Sequence, residues 1–271
     1  MRRYLLSALL LVCSFPAVAQ SAGSMLVQAG VLNAVTLDDS TALHTTVRPG
    51  LGALLGIPGS FDSPGTSATV SDATTLQVAL SYFVTDHLAI KAEGGIPPKF
   101  DLRGRGVVQP NPNIAALSVD LGDSNPIASS RQWSPAMLLQ YYFRAPDARW
   151  RPVLGVGVTY TFFTGVKLGR DFEDDLNRTF GRSLALANLS FPIDGTRVDA
   201  KSSPDWAPIA NVGVSYAFDA HWGAALSLSY VKLSTTSTIT IDAADGTRLS
   251  TSKTDIDIDP LATALLISYV F

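Results

Sequence analysis

The feature that most constrains this chain is a recurring alternation of large apolar with small or polar residues, in segments of about ten. No apolar run approaches the roughly 20 residues that a membrane helix needs. The clearest segment is Trp222 to Tyr230, where Trp222, Ala224, Leu226, Leu228 and Tyr230 share one face and Gly223, Ala225, Ser227 and Ser229 the other. Thr75 to Val84 repeats the pattern, with Leu76, Val78, Leu80, Tyr82 and Val84 set against Thr75, Gln77, Ala79, Ser81 and Phe83. A period of two puts alternate side chains on opposite faces of a strand. The composition says which environments those faces meet. Hydrophobic residues make up 46% of the chain and charged residues only 16%, against roughly 25% charge in an ordinary soluble domain. Such an apolar chain, with its hydrophobicity spread by alternation, fits a transmembrane β-barrel with lipid outside and a small polar lumen inside.

Eight segments carry the pattern: Met25 to Val35, Thr75 to Val84, Leu88 to Ile96, Trp133 to Phe143, Arg151 to Phe163, Trp206 to Phe218, Trp222 to Tyr230 and Pro260 to Phe271. In the last, Leu266 and Val270 fall on the inner face. Trp133 to Phe143 would extend roughly 33 Å; tilted by about 40°, it covers roughly 25 Å, the height of an outer-membrane apolar band. The connections alternate short and long. Thr85-Asp86-His87, Arg144 to Trp150 and Asp219-Ala220-His221 are short; the other four are long and polar. Short periplasmic turns and long extracellular loops are the plan of an outer-membrane barrel, and an even strand count leaves both termini periplasmic. Aromatic residues gather at both ends, as interfacial girdles do. Tyr82, Phe83, Tyr141, Tyr142, Phe143, Trp150, Phe218, Trp222, Tyr269 and Phe271 lie at the short-turn end. Trp133, Tyr160, Phe162, Phe163, Trp206 and Tyr230 lie at the long-loop end. The expected fold is all-β, an eight-stranded antiparallel transmembrane barrel.

The start of the chain reads as a secretory signal over residues 1–19: basic Arg2 and Arg3, apolar Leu5 to Val12, then Ala17-Val18-Ala19 as a small-x-small cleavage site. One barrel domain then covers 20–271. The single cysteine, Cys13, falls in that signal, which removes disulfides, thiolate metal sites and cysteine nucleophiles from consideration. With 20 basic and 23 acidic residues and no basic stripe, nucleic acid is not an expected partner.

Several stretches resemble the OmpW family of outer-membrane β-barrel proteins. Ser134-Pro-Ala-Met-Leu-Leu-Gln-Tyr-Tyr-Phe143 is similar to its fourth strand, and Trp150-Arg-Pro-Val-Leu-Gly-Val-Gly-Val-Thr-Tyr-Thr-Phe-Phe163 to the strand that follows. Trp206 to Tyr216 and Asp259 to Phe271 resemble later strands. The likeness implies a narrow channel with an apolar interior that passes small hydrophobic molecules across the outer membrane by passive diffusion, without a cofactor. The chain end, with Leu265, Ile267, Tyr269 and Phe271 at alternate positions, is similar to the signal read by the barrel-assembly machinery.

Eight strands leave an interior barely wide enough for side chains or one small ligand. Any passage is therefore thin or opens sideways through the wall. The lumen candidates are Gln77, Phe83, Lys91, Glu93, Leu138, Gln140, Phe163, Asn211 and Leu266, with Lys91 and Glu93 in a polar network. Candidates for the extracellular entrance are Leu51, Leu54, Leu55 and Ile57 in an apolar loop, and Phe172, Leu176 and Phe180 on one face of a helix expected over 171–189. The helix either forms a lid or packs on its own loop. Arg170, Arg178, Arg182 and Arg197 are candidate contacts for lipopolysaccharide phosphates; the acidic run Glu173-Asp174-Asp175 is either a site for a divalent cation bridging those phosphates or a solvated face, and the solvated face is the expectation, so no metal site is expected. An enzyme needs a base beside a nucleophile near the outer leaflet. Of three histidines, His87 and His221 lie in the short turns and only His44 lies in a long loop, so no catalytic activity is expected. The alternative to a channel is a closed structural or adhesive barrel whose loops contact lipopolysaccharide or other surfaces.

Overall fold

The computed structural model describes residues 20–50, 52, 56–111, 113–114 and 117–271. The expected signal segment, and Leu51, Leu54 and Leu55, lie outside the described residues. Eight antiparallel strands form the barrel: β1 (Met25–Val35), β2 (Ala73–Phe83), β3 (Leu88–Gly95), β4 (Ala136–Tyr142), β5 (Trp150–Leu168), β6 (Asp205–Ala217), β7 (Trp222–Val231) and β8 (Leu261–Val270). Each pairs with its sequence neighbour in the barrel, across short and long connections alike, and β1 pairs with β8 from Leu26↔Val270 to Val35↔Leu261, which closes the ring. Closure follows from the solvent. In hydrocarbon no water can satisfy an open strand edge, so every ladder must find a partner.

The alternation does what the sequence requires. Val27, Val31, Leu76, Val78, Leu80, Met137, Leu139, Leu154, Val156, Leu226, Leu265 and Ile267 point outward and form an exposed apolar wall, an area of apolar surface that an aqueous monomer would not present. Most turn-end aromatics face out with it, but two assigned to that girdle do not. Phe83 and Tyr142 point inward, 4.8 Å apart between ring centroids, and join Leu26, Ala89, Val153 and Val270 in a buried cluster. The parity of their strands puts them on the inner face; aromatic type alone does not decide the side.

Two strand bounds differ from the sequence reading. The expected strand Trp133 to Phe143 is divided, with Ala128–Trp133 above and β4 starting at Ala136, because Pro135 has no N–H to donate to a ladder. β5 runs on to Leu168, so its 19 residues reach about 60 Å at roughly 3.3 Å each, well beyond the membrane. It carries a folded lobe. The four long connections supply the strands of that lobe: Ala128–Trp133, Lys99–Arg105 and Ser67–Val70 continue the sheet from β5, and Arg197–Ser202, Ser234–Asp242, Arg248–Asp257, Leu43–Val47 and Ser60–Ser63 form a second sheet. Helical residues Arg170–Ala187, with a π-turn at Asn177–Gly181, pack against them. The face expected from the four-residue spacing, Phe172, Leu176, Phe180 and Leu184, is buried in the lobe core with Leu43, Val47, Ile57, Ile241 and Leu249.

Arg151 fastens the turn end. Its side chain is 1% exposed. The guanidinium donates to the carbonyls of Gln20 (2.7 Å), Asp86 (2.5 Å), Phe143 (3.2 Å), Tyr142 and Arg144 (both 3.3 Å), and lies over the Tyr142 ring. One planar fork thus ties the segment before β1 to two turns. Asp219, in a short turn, accepts the N–H groups of His221 (2.8 Å) and Trp222 (2.7 Å); these bonds hold its carboxyl below the usual carboxylate range.

Replacing Arg151 with Met leaves several carbonyls unpaired at a buried site. The variant should lose about 2–4 kcal/mol, measured by urea unfolding in lipid vesicles; an unchanged midpoint would remove Arg151 from the fastening. For Asp219, a depressed folded-state pKa contributes stability that is complete above the unfolded value and lost as pH falls through the folded one. Asp219→Ala should therefore be less stable than the parent at neutral pH and converge with it in acid; a gap that stays constant with pH refutes this account.

Candidate functional site

The lumen divides into a filled lower part and a hollow upper part. Above the Arg151 cluster, Lys91 Nζ lies 2.8 Å from Glu93 Oε2, with Lys91 almost fully buried. Both point inward from β3, two residues apart, as the strand period requires. A separate polar chain crosses the lumen: Gln140 Nε2 donates to Asn211 Oδ1 (2.8 Å), and Asn211 Nδ2 to Ser229 Oγ (2.9 Å). Tyr142 Oη donates to Gln140 Oε1 from below. Leu138 and Leu266 fill the remainder and are both buried. Only about 20 Å³ is free at this level. Of the lumen candidates, Lys91 and Glu93 thus form one group and Gln140 and Asn211 another; Phe83 sits below them in the turn-end cluster. Phe163 stands above the barrel proper, packed with the lobe residues Ala68, Leu233, Ile256 and Ile258.

Above the polar level the barrel encloses a chamber of about 300 Å³. Its walls are mostly apolar and small, among them Leu32, Ala34, Ile209, Val231, Ala262 and Ala264, and its floor carries Gln77, Glu93, Ser227 and Ser229. An apolar cavity of about 150 Å³ holds benzene, so this one has room for a larger solute. The wall also includes Leu76, Ile96, Trp133 and Phe162, side chains on the lipid face of the barrel. The chamber therefore opens through the side.

The opening has a local cause. The β3–β4 ladder runs from Tyr141↔Leu88 to Ala136↔Glu93 and stops. Pairing resumes above, where Gln132 N–H donates to the Pro98 carbonyl at 3.1 Å and Lys99 meets Arg131. Between these lie Gly94, Gly95, Ile96 and Pro97 on one side and Trp133, Ser134 and Pro135 on the other. Three prolines at one seam, Pro97, Pro98 and Pro135, remove the donors that would close it. Two of the remaining groups bond to neighbouring strands: Ile96 N–H donates to the Leu76 carbonyl, and the Pro135 carbonyl accepts from Tyr160 N–H. Trp133 stacks on Phe162 at the upper lip, the planes 3° apart. These seam residues were not among the sequence candidates. Their signal was present in the Pro-Pro pair that ends one strand pattern and the Ser-Pro at the start of the next.

Two smaller cavities of about 40 Å³ each continue upward into the lobe. One is lined by Phe100, Leu102, Phe163 and Ile256, the other by Leu102, Phe172, Leu176 and Phe180. Phe100 is shared with the chamber, and Leu102 by both upper cavities. Phe172, Leu176 and Phe180 thus face an internal apolar space, and with the buried Ile57 they do not stand on an exposed rim.

The other sequence candidates fall outside this site. Leu265, Ile267 and Phe271 face outward on and after β8, and Tyr269 stacks on His221. Arg178 pairs with Asp175 and Arg182 with Asp194 on the lobe surface. His44 lies between Asp62 (Nδ1, 2.6 Å) and Ser60 (Nε2, 3.1 Å), but on an exposed strand face, and none of the three lines any cavity described above. Among the described residues no group of three or more His, Cys, Asp or Glu is placed to hold a metal ion.

Comparison with known proteins places the chain. The sequence pattern of the OmpW family matches residues 21–177. Outer membrane protein W of Vibrio cholerae is 24% identical over 266 residues, covering 98% of this chain and 97% of its own. Outer membrane protein W of Salmonella typhimurium is 27% identical over 240 residues, 87% of this chain and 86% of its own. Outer membrane protein AlkL of Ectopseudomonas oleovorans is 25% identical over 209 residues, 77% and 70%. Among solved structures, OprG of Pseudomonas aeruginosa superposes with a TM-score of 0.66 at 20% identity, covering 93% of this chain and 99% of its own, a likeness of fold. The match extends over more than half the chain and agrees with the closed eight-stranded barrel and its apolar wall: this chain is an outer-membrane β-barrel protein and belongs to the OmpW family.

Proposed function

We propose that the protein is a passive conduit that takes small hydrophobic molecules from the cell exterior and releases them sideways into the outer membrane. The observation that carries this reading is the chamber of about 300 Å³ with its opening at the β3–β4 seam, set above a lumen that is filled. A solute reaching the chamber meets the Lys91–Glu93 pair, the Gln140–Asn211–Ser229 chain and the Arg151 cluster below it. Crossing them would require desolvating and breaking buried polar pairs. The seam requires neither, and it faces lipid, where an apolar solute is more stable than in water. The stacked apolar cavities of the lobe offer a dry approach from above. In this arrangement the lobe and the long connections are extracellular, the short turns and both termini are periplasmic, and the lobe arginines meet lipopolysaccharide phosphates. The outward row Leu265, Ile267, Tyr269 and Phe271 serves recognition by the barrel-assembly machinery. Movement follows the concentration gradient, with no cofactor and no covalent chemistry.

The filled lower lumen also suits the second reading, a closed barrel whose lobe acts as a contact surface, and one experiment separates the two. Uptake of a small apolar solute should be faster in cells that carry the protein than in cells that lack it, while the purified barrel in planar bilayers gives little or no ionic conductance. No acceleration of uptake by a folded barrel would leave the contact-surface reading. Large ionic steps would contradict the lateral route, since they need a water-filled path through the lumen. Filling the chamber with Ala262→Phe should slow protein-dependent uptake several-fold, while the heat-dependent gel shift of the folded barrel persists. Uptake at the parent rate would place the path elsewhere.

A further inference from the structure

The pairing that the seam interrupts resumes on two cations. Lys99 lies directly opposite Arg131, and both are exposed on the outward face of the sheet. Like charges directly opposite one another repel, so the pair costs stability unless an anion lies against it. Lys167 of β5, opposite Ser129, and Arg103, further along the strand Lys99–Arg105, are exposed as well. The acidic side chain on this stretch of the face is Asp101, 3.0 Å from Lys99. Arg131, Lys167 and Arg103 form no ion pair with any described residue, whereas Arg178 and Arg182 are already held by Asp175 and Asp194. The far side of the barrel mouth has the reverse character: between β7 and β8, Lys232 lies against Asp257 and Asp259, with Asp39 opposite Asp257. In a chain with 20 basic and 23 acidic residues, a surplus of free cations above the seam does not follow from composition.

The level of these cations identifies what they meet. Directly below them, Ile96 and Trp133 are exposed on the lipid face. Trp133 stacks on Phe162, and its indole N–H donates to Thr164 Oγ1 at 3.2 Å, the amphipathic placement of an interfacial girdle. Arg131 is two residues above Trp133, about 7 Å along the strand. The head-group layer adds roughly 5–8 Å on each side of the hydrocarbon, so Arg131 and Lys99 stand inside it. On the outer side of the membrane the anions of that layer are lipopolysaccharide phosphates. A guanidinium takes a phosphate through two parallel N–H donors, and an ammonium adds a compact charge. An acidic protein in solution would have to displace the head groups to reach the same side chains. We propose that Lys99, Arg131 and Lys167 bind a phosphate of lipopolysaccharide and hold that lipid at the upper lip of the seam, with Arg103 above them for a second phosphate. The lateral opening then delivers its solute beside an anchored lipid. The proposal rests on the outward-facing lobe and lipid-facing seam of the conduit reading and names the partner at its lip.

The test titrates bisphosphorylated lipid A into the folded barrel in micelles of a neutral detergent, read by native mass spectrometry, for the parent and for the triple variant Lys99→Gln, Arg131→Gln, Lys167→Gln. The three side chains are exposed, and the heat-dependent gel shift reports that the variant folds. The expected result is an affinity weaker by roughly tenfold or more in the triple variant, the worth of one or two charge-assisted hydrogen bonds. Lipid A stripped of both phosphates should bind parent and variant equally, and the double variant Arg178→Gln, Arg182→Gln should bind as the parent does. Equal affinity of the parent and the triple variant for bisphosphorylated lipid A would overturn the proposal, as would a loss confined to the double variant. Inorganic phosphate that displaces lipid A at a comparable concentration would make this a site for the free anion and overturn the lipid assignment. No transported solute is present in the assay, so each of these failures leaves the conduit standing; the conduit falls separately, if solute uptake is not accelerated.

Discussion

The structure depends on one constraint: in hydrocarbon an unpaired peptide group costs several kcal/mol, because no water is there to satisfy it. Everything regular about the barrel follows from it, from the pairing of neighbouring strands to the closure of β1 on β8. The same constraint makes the β3–β4 seam informative. A strand edge left open at membrane depth is tolerated only where its polar groups are absent or engaged elsewhere. Here Pro97, Pro98 and Pro135 have no N–H, the Ile96 amide bonds to β2, and the Pro135 carbonyl accepts from β5. The seam is therefore an opening made by composition, and it lies on the side of a chamber whose walls are apolar.

The second determinant is size. An eight-stranded barrel can either fill its interior with side chains or hold one small ligand, and this one does both at different heights. Below, large side chains and paired polar groups occupy the lumen. Above, many of the inward positions are small, among them Ala34, Ala136, Ala262, Ala264 and Ser229. The division between the two lies at Glu93, where β3 also loses its β4 partner. Filling and pairing stop together, so the hollow part of the barrel is also the part that opens.

Much of this was legible in the sequence because period-two alternation reports directly on which side a residue faces. It placed Gln77, Lys91, Glu93, Gln140 and Asn211 inward, and it located the helical face of Phe172, Leu176 and Phe180. It did not separate inward aromatics from girdle aromatics at Tyr142, since both occur at the same height. Nor could it join Phe163 to Ile256 or Lys91 to its level in the stack, because such contacts depend on the shear between strands far apart in the chain. The seam was missed for a related reason. A proline in one strand reads as a weak end; only the register shows that Pro97, Pro98 and Pro135 meet across the same gap. The lobe was the least legible part. Its strands are short, and their partners lie up to about two hundred residues away, as Thr45 and Ser252 do.

The hydrogen bond from Arg151 to the Gln20 carbonyl has a consequence for the order of assembly. Gln20 precedes every strand, whereas Arg151 belongs to the fifth. A chain that inserts its strands in sequence ties Ala22 and Gly23 early, to Asp86 and the Phe83 carbonyl, but leaves the Gln20 carbonyl without the guanidinium until β5 arrives. The bond at Gln20 is thus a late addition to a turn end already begun by earlier strands, and the finished barrel retains it as a latch between its beginning and its middle.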